Sequence, residues 1–243
     1  MPPAPGGEKD PHSMHPAPRA IAFFDVDETL IKVKSLIRFL AFHWARTGQD
    51  PSRFAAARAA HLRRQAAGTP RTELNRAFFR NFQGADAARL ADAGRAWFDS
   101  ETRRDGLFHQ PVLDALHVHR RAGDLIVLVS GSFLPCLAPV AEAVHADAVL
   151  CTDVEERDGV LTGEIGIPVI GPRKAVLARR MMRARGVAPG ACAAYGDHDT
   201  DAELLRAVGR PVVVGDNPLL GALARRHGWE RLSLVAPPTP VVP

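Results

Sequence analysis

The sequence predicts an α/β protein: a parallel sheet covered by helices, with an all-helical insertion after the first strand. Three observations carry this. From Leu107 onward, short apolar runs alternate with segments of helical periodicity. The runs are continuously apolar, Leu125-Ile126-Val127-Leu128-Val129 being the clearest, as strands buried on both faces are. Between about Val33 and Arg104 no such run occurs.

Ile21-Ala22-Phe23-Phe24 reads as the first strand. In the insertion, Leu36, Ile37, Leu40 and Trp44 recur at helical spacing, as do Leu74, Phe78 and Phe82, and a third segment carries Leu90, Trp97 and Phe98. Gly48, the Gly68-Thr69-Pro70 turn and Gly84 divide these helices. Their aromatics are read as the insertion's own small core. Gln110 to Ala122 is a helix ended by Gly123, and Leu134 to His145 is another with Pro135 in its first turn. Ala148 to Cys151 is a strand. Val160 to Ile170 alternates and holds Gly163 and Gly166, a hairpin-like excursion. Pro172 to Arg185 is a helix between Gly171 as N-cap and Gly186. A strand over Ala191 to Tyr195, a helix over Thr200 to Val208, a strand over Val212 to Val214 and a helix from Asn217-Pro218 to about His227 complete the alternation.

The expected organisation is an α/β core of residues 19–34 and 107–235, with a helical cap of residues 35–106. A disordered tail is expected over 1–18, rich in Pro, Gly and His, and a loose Pro-rich end over 236–243. Met14 is an alternative start. No apolar run has the length of a membrane span, and the N-terminus lacks the apolar stretch of a secretory signal. Cys136, Cys151 and Cys192 have no metal-type spacing and sit among apolar residues, as in a reducing cytoplasm. The chain is basic, with net charge +4 and pI about 9.3. It has no run of basic residues and one Tyr, which argues against a nucleic-acid partner and for a small anionic one.

The chemistry concentrates at predicted strand ends, where open α/β sheets bind ligands. Asp25-Val26-Asp27-Glu28-Thr29-Leu30 follows the first strand. Two carboxylates one residue apart there are costly to desolvate unless a cation or a reaction needs them. Ser130-Gly131-Ser132 follows the Leu125–Val129 strand, offering a hydroxyl and free N–H groups to an anion. Lys174 stands in the first turn of its helix against the helix dipole, and from sequence Arg173 is an equal candidate. Gly196-Asp197-His198-Asp199-Thr200-Asp201 follows another strand, and N-capping explains at most one of its three carboxylates. Oxygen-only ligands without a His/Cys set suit Mg²⁺, and His198 is read as a loop residue.

In that order, these motifs resemble the haloacid dehalogenase superfamily of phosphohydrolases. The helical insertion after the first motif, Ser130-Gly131-Ser132-Phe133, and Asp158-Gly159-Val160-Leu161-Thr162-Gly163-Glu164 resemble its phosphoserine-phosphatase-like branch. The resemblance implies a Rossmann-like core and a Mg²⁺-dependent phosphatase. It implies that Asp25 attacks phosphorus to form an aspartyl-phosphate and that Asp27 is the acid and base. It also implies that Asp25, Asp197 and the Asp27 carbonyl hold the metal, with Asp201 supporting it directly or through water, and that Ser130, Gly131 and Lys174 hold the phosphoryl oxygens. The expected partner is a small-molecule phosphate ester. A phosphotransferase on the same scaffold and a non-catalytic basic binding protein are the alternatives. Two departures bear on substrate. Phosphoserine phosphatases carry a Glu that meets the substrate's ammonium where this chain has Lys34, and an Asn where it has Thr200. Phosphoserine is therefore expected to be a poor substrate. Of the insertion's arginines, Arg71 and Arg76 are the leading candidates to reach a second acidic group.

Overall fold

The computed structural model describes residues 19–104 and 106–234. The tails expected over 1–18 and 236–243 lie outside the described residues. In chain order the elements are β1 (Ile21–Asp25), α1 (Ser35–Arg46), α2 (Pro51–Ala66), α3 (Arg71–Phe79), α4 (Ala87–Thr102), α5 (Gln110–Ala122), β2 (Leu125–Val129), α6 (Leu134–Val144) and β3 (Ala148–Leu150). They continue with β4 (Val154–Arg157), β5 (Val160–Ile165), α7 (Pro172–Arg185), β6 (Ala193–Gly196), α8 (Ala202–Leu205), β7 (Arg210–Val214), α9 (Pro218–His227) and β8 (Glu230–Leu232). Among the described residues, no helix is long and apolar enough to cross a membrane.

Six strands form one sheet in the order β3-β2-β1-β6-β7-β8, and every neighbouring pair is parallel. β1 lies inside it, and the chain leaves to opposite sides through β2 and β6, which makes the end of β1 a topological switch point. The register sets what gathers there. Asp25 pairs with Val129, so Ser130 emerges one residue later beside it. Phe24 pairs with Tyr195, which puts Gly196 level with Asp25 and Asp197 just beyond.

Side chains of β1 alternate between two cores. Ile21 and Phe23 face the layer with Ala178, Met182 and Leu220, whereas Ala22 and Phe24 face the larger one. That larger core corrects one expectation. The aromatics of the helical segment do not make a separate small core. Phe39, Phe79 and Phe82 pack on Phe133 at the start of α6, with ring centroids 5.8, 5.3 and 5.0 Å from it. Trp97 and Leu90 join the same continuous cluster. The helical segment and the sheet layer thus fold around shared apolar surface, and each aromatic pair adds about 0.5–1.5 kcal/mol to area burial.

α4 lies directly on α6. A Cβ built at Gly94 would stand 1.8 Å from the Pro135 carbonyl oxygen, so only glycine permits this approach. α2 differs from the other long helices: it is capped by Asp50, whose side chain accepts the Ser52 N–H at 2.7 Å, yet it buries no residue.

The excursion after β3 is an antiparallel hairpin of β4 and β5, and its first strand, Val154–Arg157, precedes the alternation read from sequence. The turn is Asp158-Gly159, both with positive φ. The Leu161 and Gly159 carbonyls accept from the Gly84 and Ala87 N–H groups, which fixes the α3–α4 turn to the hairpin. The helix expected over Thr200 to Val208 is a 3₁₀ turn, Asp199–Asp201, running into the short α8. The terminal strand β8 carries alternating charge and had no apolar signal.

Replacement Gly94→Ala must push α4 off α6 or shift backbone. A loss of about 1–3 kcal/mol is expected from such overpacking, read as a lower denaturant midpoint at unchanged slope.

Candidate active site

Five segments converge at the carboxyl end of the sheet around a cavity of about 360 Å³. β1 ends in the buried Asp25, and the chain then tightens: the Leu30 and Ile31 N–H groups both donate to the Val26 carbonyl. Glu28 takes a left-handed conformation (φ 65°) in this turn, and Thr29 folds back beneath the carboxylates. Its hydroxyl lies 3.1 Å from Asp25 Oδ2 and 2.5 Å from Asp197 Oδ1. One hydroxyl proton cannot serve both acceptors, so these two carboxylates are short of positive partners.

Lys174 supplies part of that charge. Gly171, with φ 58° and ψ −131°, turns the chain into α7, and Lys174 points inward from its first turn. Its Nζ donates to Asp25 Oδ1 at 2.5 Å and Asp201 Oδ1 at 2.6 Å, all three side chains being buried. Burial works against the ammonium, but the Asp201 and Asp25 carboxylates outweigh it and hold the lysine charged. Of the two cations open from sequence, Lys174 lines the cavity and Arg173 does not. Asp201 also accepts the His198 N–H through Oδ2 at 3.1 Å. Gly196 admits it: a Cβ there would sit 2.6 Å from the Asp201 Cβ.

Asp25 and Asp201 therefore share one ammonium, with the Asp197 carboxylate beside them. Burial, opposed by Lys174, holds Asp25 well above its ordinary pKa, and burial also raises Asp197. Carboxylate oxygens of Asp25, Asp197 and Asp201 all lie within 4.8 Å of one another. An oxygen-only donor set with excess negative charge fits a hard divalent cation.

Asp27 is held separately. The Ser35 N–H at the start of α1 donates to its Oδ1 at 3.0 Å, and the Ser35 hydroxyl donates to Ser132 Oγ at 2.8 Å. Burial, partly offset by the Ser35 hydrogen bonds, pushes the Asp27 carboxyl up to about 6.

The loop after β2 completes this end. Ser130 Oγ accepts the Ser132 N–H at 3.1 Å. The Gly131 carbonyl accepts from Thr152 Oγ1 and from Asn75 Nδ2, each at 3.0 Å. A Cβ at Gly131 would stand 2.8 Å from Ile170 Cγ1, so glycine lets the loop lie flat against its neighbour. Ser35, Thr152 and Asn75 were not singled out from sequence: Ser35 opens α1, Thr152 lies in the loop after β3 and Asn75 sits inside α3, so no shared local signal marks them.

The helical segment closes the opposite side with Leu36, Ile37, Leu74 and Phe78, and with His61 and Arg71. Lys34 lines the mouth in an ion pair with Glu28 at 3.1 Å, and Thr200 and His198 also face the cavity. Arg76 departs from expectation. Its Nη1 donates to the Ile165 carbonyl at 2.9 Å, tying α3 to the hairpin, and it is not among the lining residues. Arg71 is.

Replacement Lys174→Ala would strand Asp25 and Asp201 as unpaired buried charges. A loss of about 3–5 kcal/mol is expected in metal-free protein, measured as the drop in unfolding free energy with chelator present.

Comparison with known proteins gives the family. The family model described as haloacid dehalogenase-like hydrolase matches residues 22–206. A protein of Streptomyces azureus named for inhibition of morphological differentiation is 29% identical over 92% of this chain and 81% of its own. A phosphoserine phosphatase of Mycobacterium tuberculosis is 29% identical over 87% of this chain and 70% of its own. The crystal structure of a protein of unknown function from Bordetella pertussis superimposes with TM-score 0.78 at 28% identity, covering 90% of this chain and all of that one. With its four acidic, hydroxyl and lysine motifs meeting at one sheet end, the chain belongs to the haloacid dehalogenase-like hydrolases.

Proposed function

We propose that the chain is a Mg²⁺-dependent phosphatase that hydrolyses a small-molecule phosphomonoester through a phosphorylated Asp25. The observation that carries this is the clustering of Asp25, Asp197, Asp201 and Lys174 beside Ser130 and Asp27 on one cavity. Phosphoryl transfer needs a nucleophile, charge neutralisation and a proton donor within reach of one phosphorus atom.

Asp25 Oδ attacks phosphorus, and the bond to the leaving oxygen breaks. Asp27, two residues on and oriented by Ser35, gives its proton to that oxygen. A water then attacks the phosphorus of the acyl phosphate on Asp25. Asp27 takes the proton of that water, and phosphate leaves with Asp25 restored. Ser130 Oγ, the Gly131 N–H and Lys174 Nζ hold the equatorial oxygens. Mg²⁺, held by Asp25, Asp197, Asp201 and the Asp27 carbonyl, would supply the positive charge that lets an anionic nucleophile approach an anionic phosphate.

In this reading residues 19–34 and 107–235 carry the chemistry, and residues 35–106 act as a cap that selects the leaving group. Lys34 faces the cavity mouth where an ammonium-bearing substrate would want a carboxylate, and Thr200 stands in place of an amide. Both disfavour phosphoserine. Arg71 is a cap cation on the main cavity that can meet an acidic leaving group there. The free cysteines suit a reducing cytoplasm.

Phosphate release from a panel of phosphomonoesters tests the mechanism. EDTA should abolish turnover, and Asp25→Asn should lower it by more than about a thousandfold. Phosphoserine should rank low in the panel, and efficient, preferred hydrolysis of it would overturn the specificity reading. Arg71→Ala should raise KM for carboxylated esters about fivefold relative to p-nitrophenyl phosphate. Arg76→Ala should instead affect all esters alike and lower stability by about 1 kcal/mol, the worth of its bond to the Ile165 carbonyl.

A further inference from the structure

A second cavity, about 290 Å³, opens beside the main one between the start of α1 and the inner side of α2. The two share Glu28, Lys34, Ile37, His61 and Gln65, so they form one branched space. The side branch is strongly cationic. Lys32, Lys34, Arg38 and Arg58 line it against a single carboxylate, Glu28. Two of these charges are already matched. Lys34 pairs with Glu28 at 3.1 Å, and Arg38 grips Glu101 with Nη2 2.9 Å from both carboxylate oxygens. Among the described residues, no acceptor pairs with Arg58 or Lys32.

His61 stands where the branches meet, its ring edge-on to Phe78 at 5.4 Å. Burial, and then the charges of Lys34, Arg58, Arg71 and Arg64, keep it below its ordinary pKa. Four cations thus act on one point inside the branch, and a cleft with apolar walls focuses such a field.

Its position fixes which part of a substrate would reach it. The end of the main cavity beneath it is filled by carboxylates, and Asp27 is anchored to the first residue of α1. Lys34 immediately precedes that residue. A leaving group whose oxygen Asp27 protonates would pass Ser35 and Lys34 to enter the branch. We propose that this branch binds a second oxyanion, phosphate or carboxylate, carried by the leaving group several bonds from the scissile ester, with Arg58 and Lys32 as its charge partners. The inference rests on the phosphomonoesterase reading and extends it to a substrate class: esters anionic at both ends.

The test compares kcat/KM for butyl phosphate, butanediol bisphosphate and phosphooxybutanoate, with p-nitrophenyl phosphate as reference. Wild type should prefer the doubly anionic esters, the difference lying in KM. Arg58→Ala and Lys32→Ala should each reduce that preference about fivefold, and Arg58→Lys should retain most of it. The better of the two doubly anionic esters identifies the oxyanion. Arg58 is exposed on a helix that buries nothing, so its variants should fold. Hydrolysis of p-nitrophenyl phosphate without preference for the doubly anionic esters, or a preference unchanged in both alanine variants, overturns this inference alone. No hydrolysis of any ester by wild type overturns the phosphatase reading and this inference with it.

Discussion

The structure depends on keeping several carboxylates together at the end of a buried sheet. Desolvating like charges is among the largest penalties a fold can carry, and here one ammonium, Lys174, offsets much of it. Its bonds to Asp25 and Asp201 join segments 149 and 27 residues away in sequence. They explain why a lysine is tolerated in the first turn of α7, where the helix dipole opposes it. The remaining negative charge, centred on Asp197, is what a divalent cation would answer, and such a cation would in turn draw an anionic phosphoryl group. The same imbalance that makes the site costly to fold makes it able to attract a cation.

Much of this was legible in the sequence because the site hangs on strand ends. A continuous apolar run followed at once by carboxylates or by Ser-Gly-Ser states both the strand and what emerges from it. Parallel pairing then aligns those residues without further information: Asp25 opposite Val129 brings Ser130 alongside. The helices announced by Gly and Pro punctuation were also readable, including Gly171 before α7 and Gly123 after α5.

What was not legible depends on contacts between distant surfaces. Helical periodicity shows that Phe39, Phe82 and Trp97 are buried, but not against what, and Phe133 answers that only in three dimensions. Arg71 and Arg76 differ by five positions on one helix, and nothing local says that the second is spent on the Ile165 carbonyl. Ser35 and Thr152 look like ordinary hydroxyls until Asp27 and Gly131 are beside them. The first strand of the hairpin, Val-Glu-Glu-Arg, lacks an apolar pattern, although the Asp158-Gly159 turn was a usable signal.

The helix α2 forms one wall of both branches of the cavity while burying none of its sixteen residues. Apart from Phe54 and Ala57, which pack on the core, and His61 on Phe78, its exposed side chains can be exchanged with little loss of folding free energy, whereas α4 is bound to α6 by the glycine contact at Pro135. The solvent-facing positions of α2 are thus a place where the lining of the cavity can drift at little cost to the fold. A lineage of such chains would be expected to diverge fastest along the exposed face of this one helix and to change what its cavity accepts without first acquiring compensating core mutations.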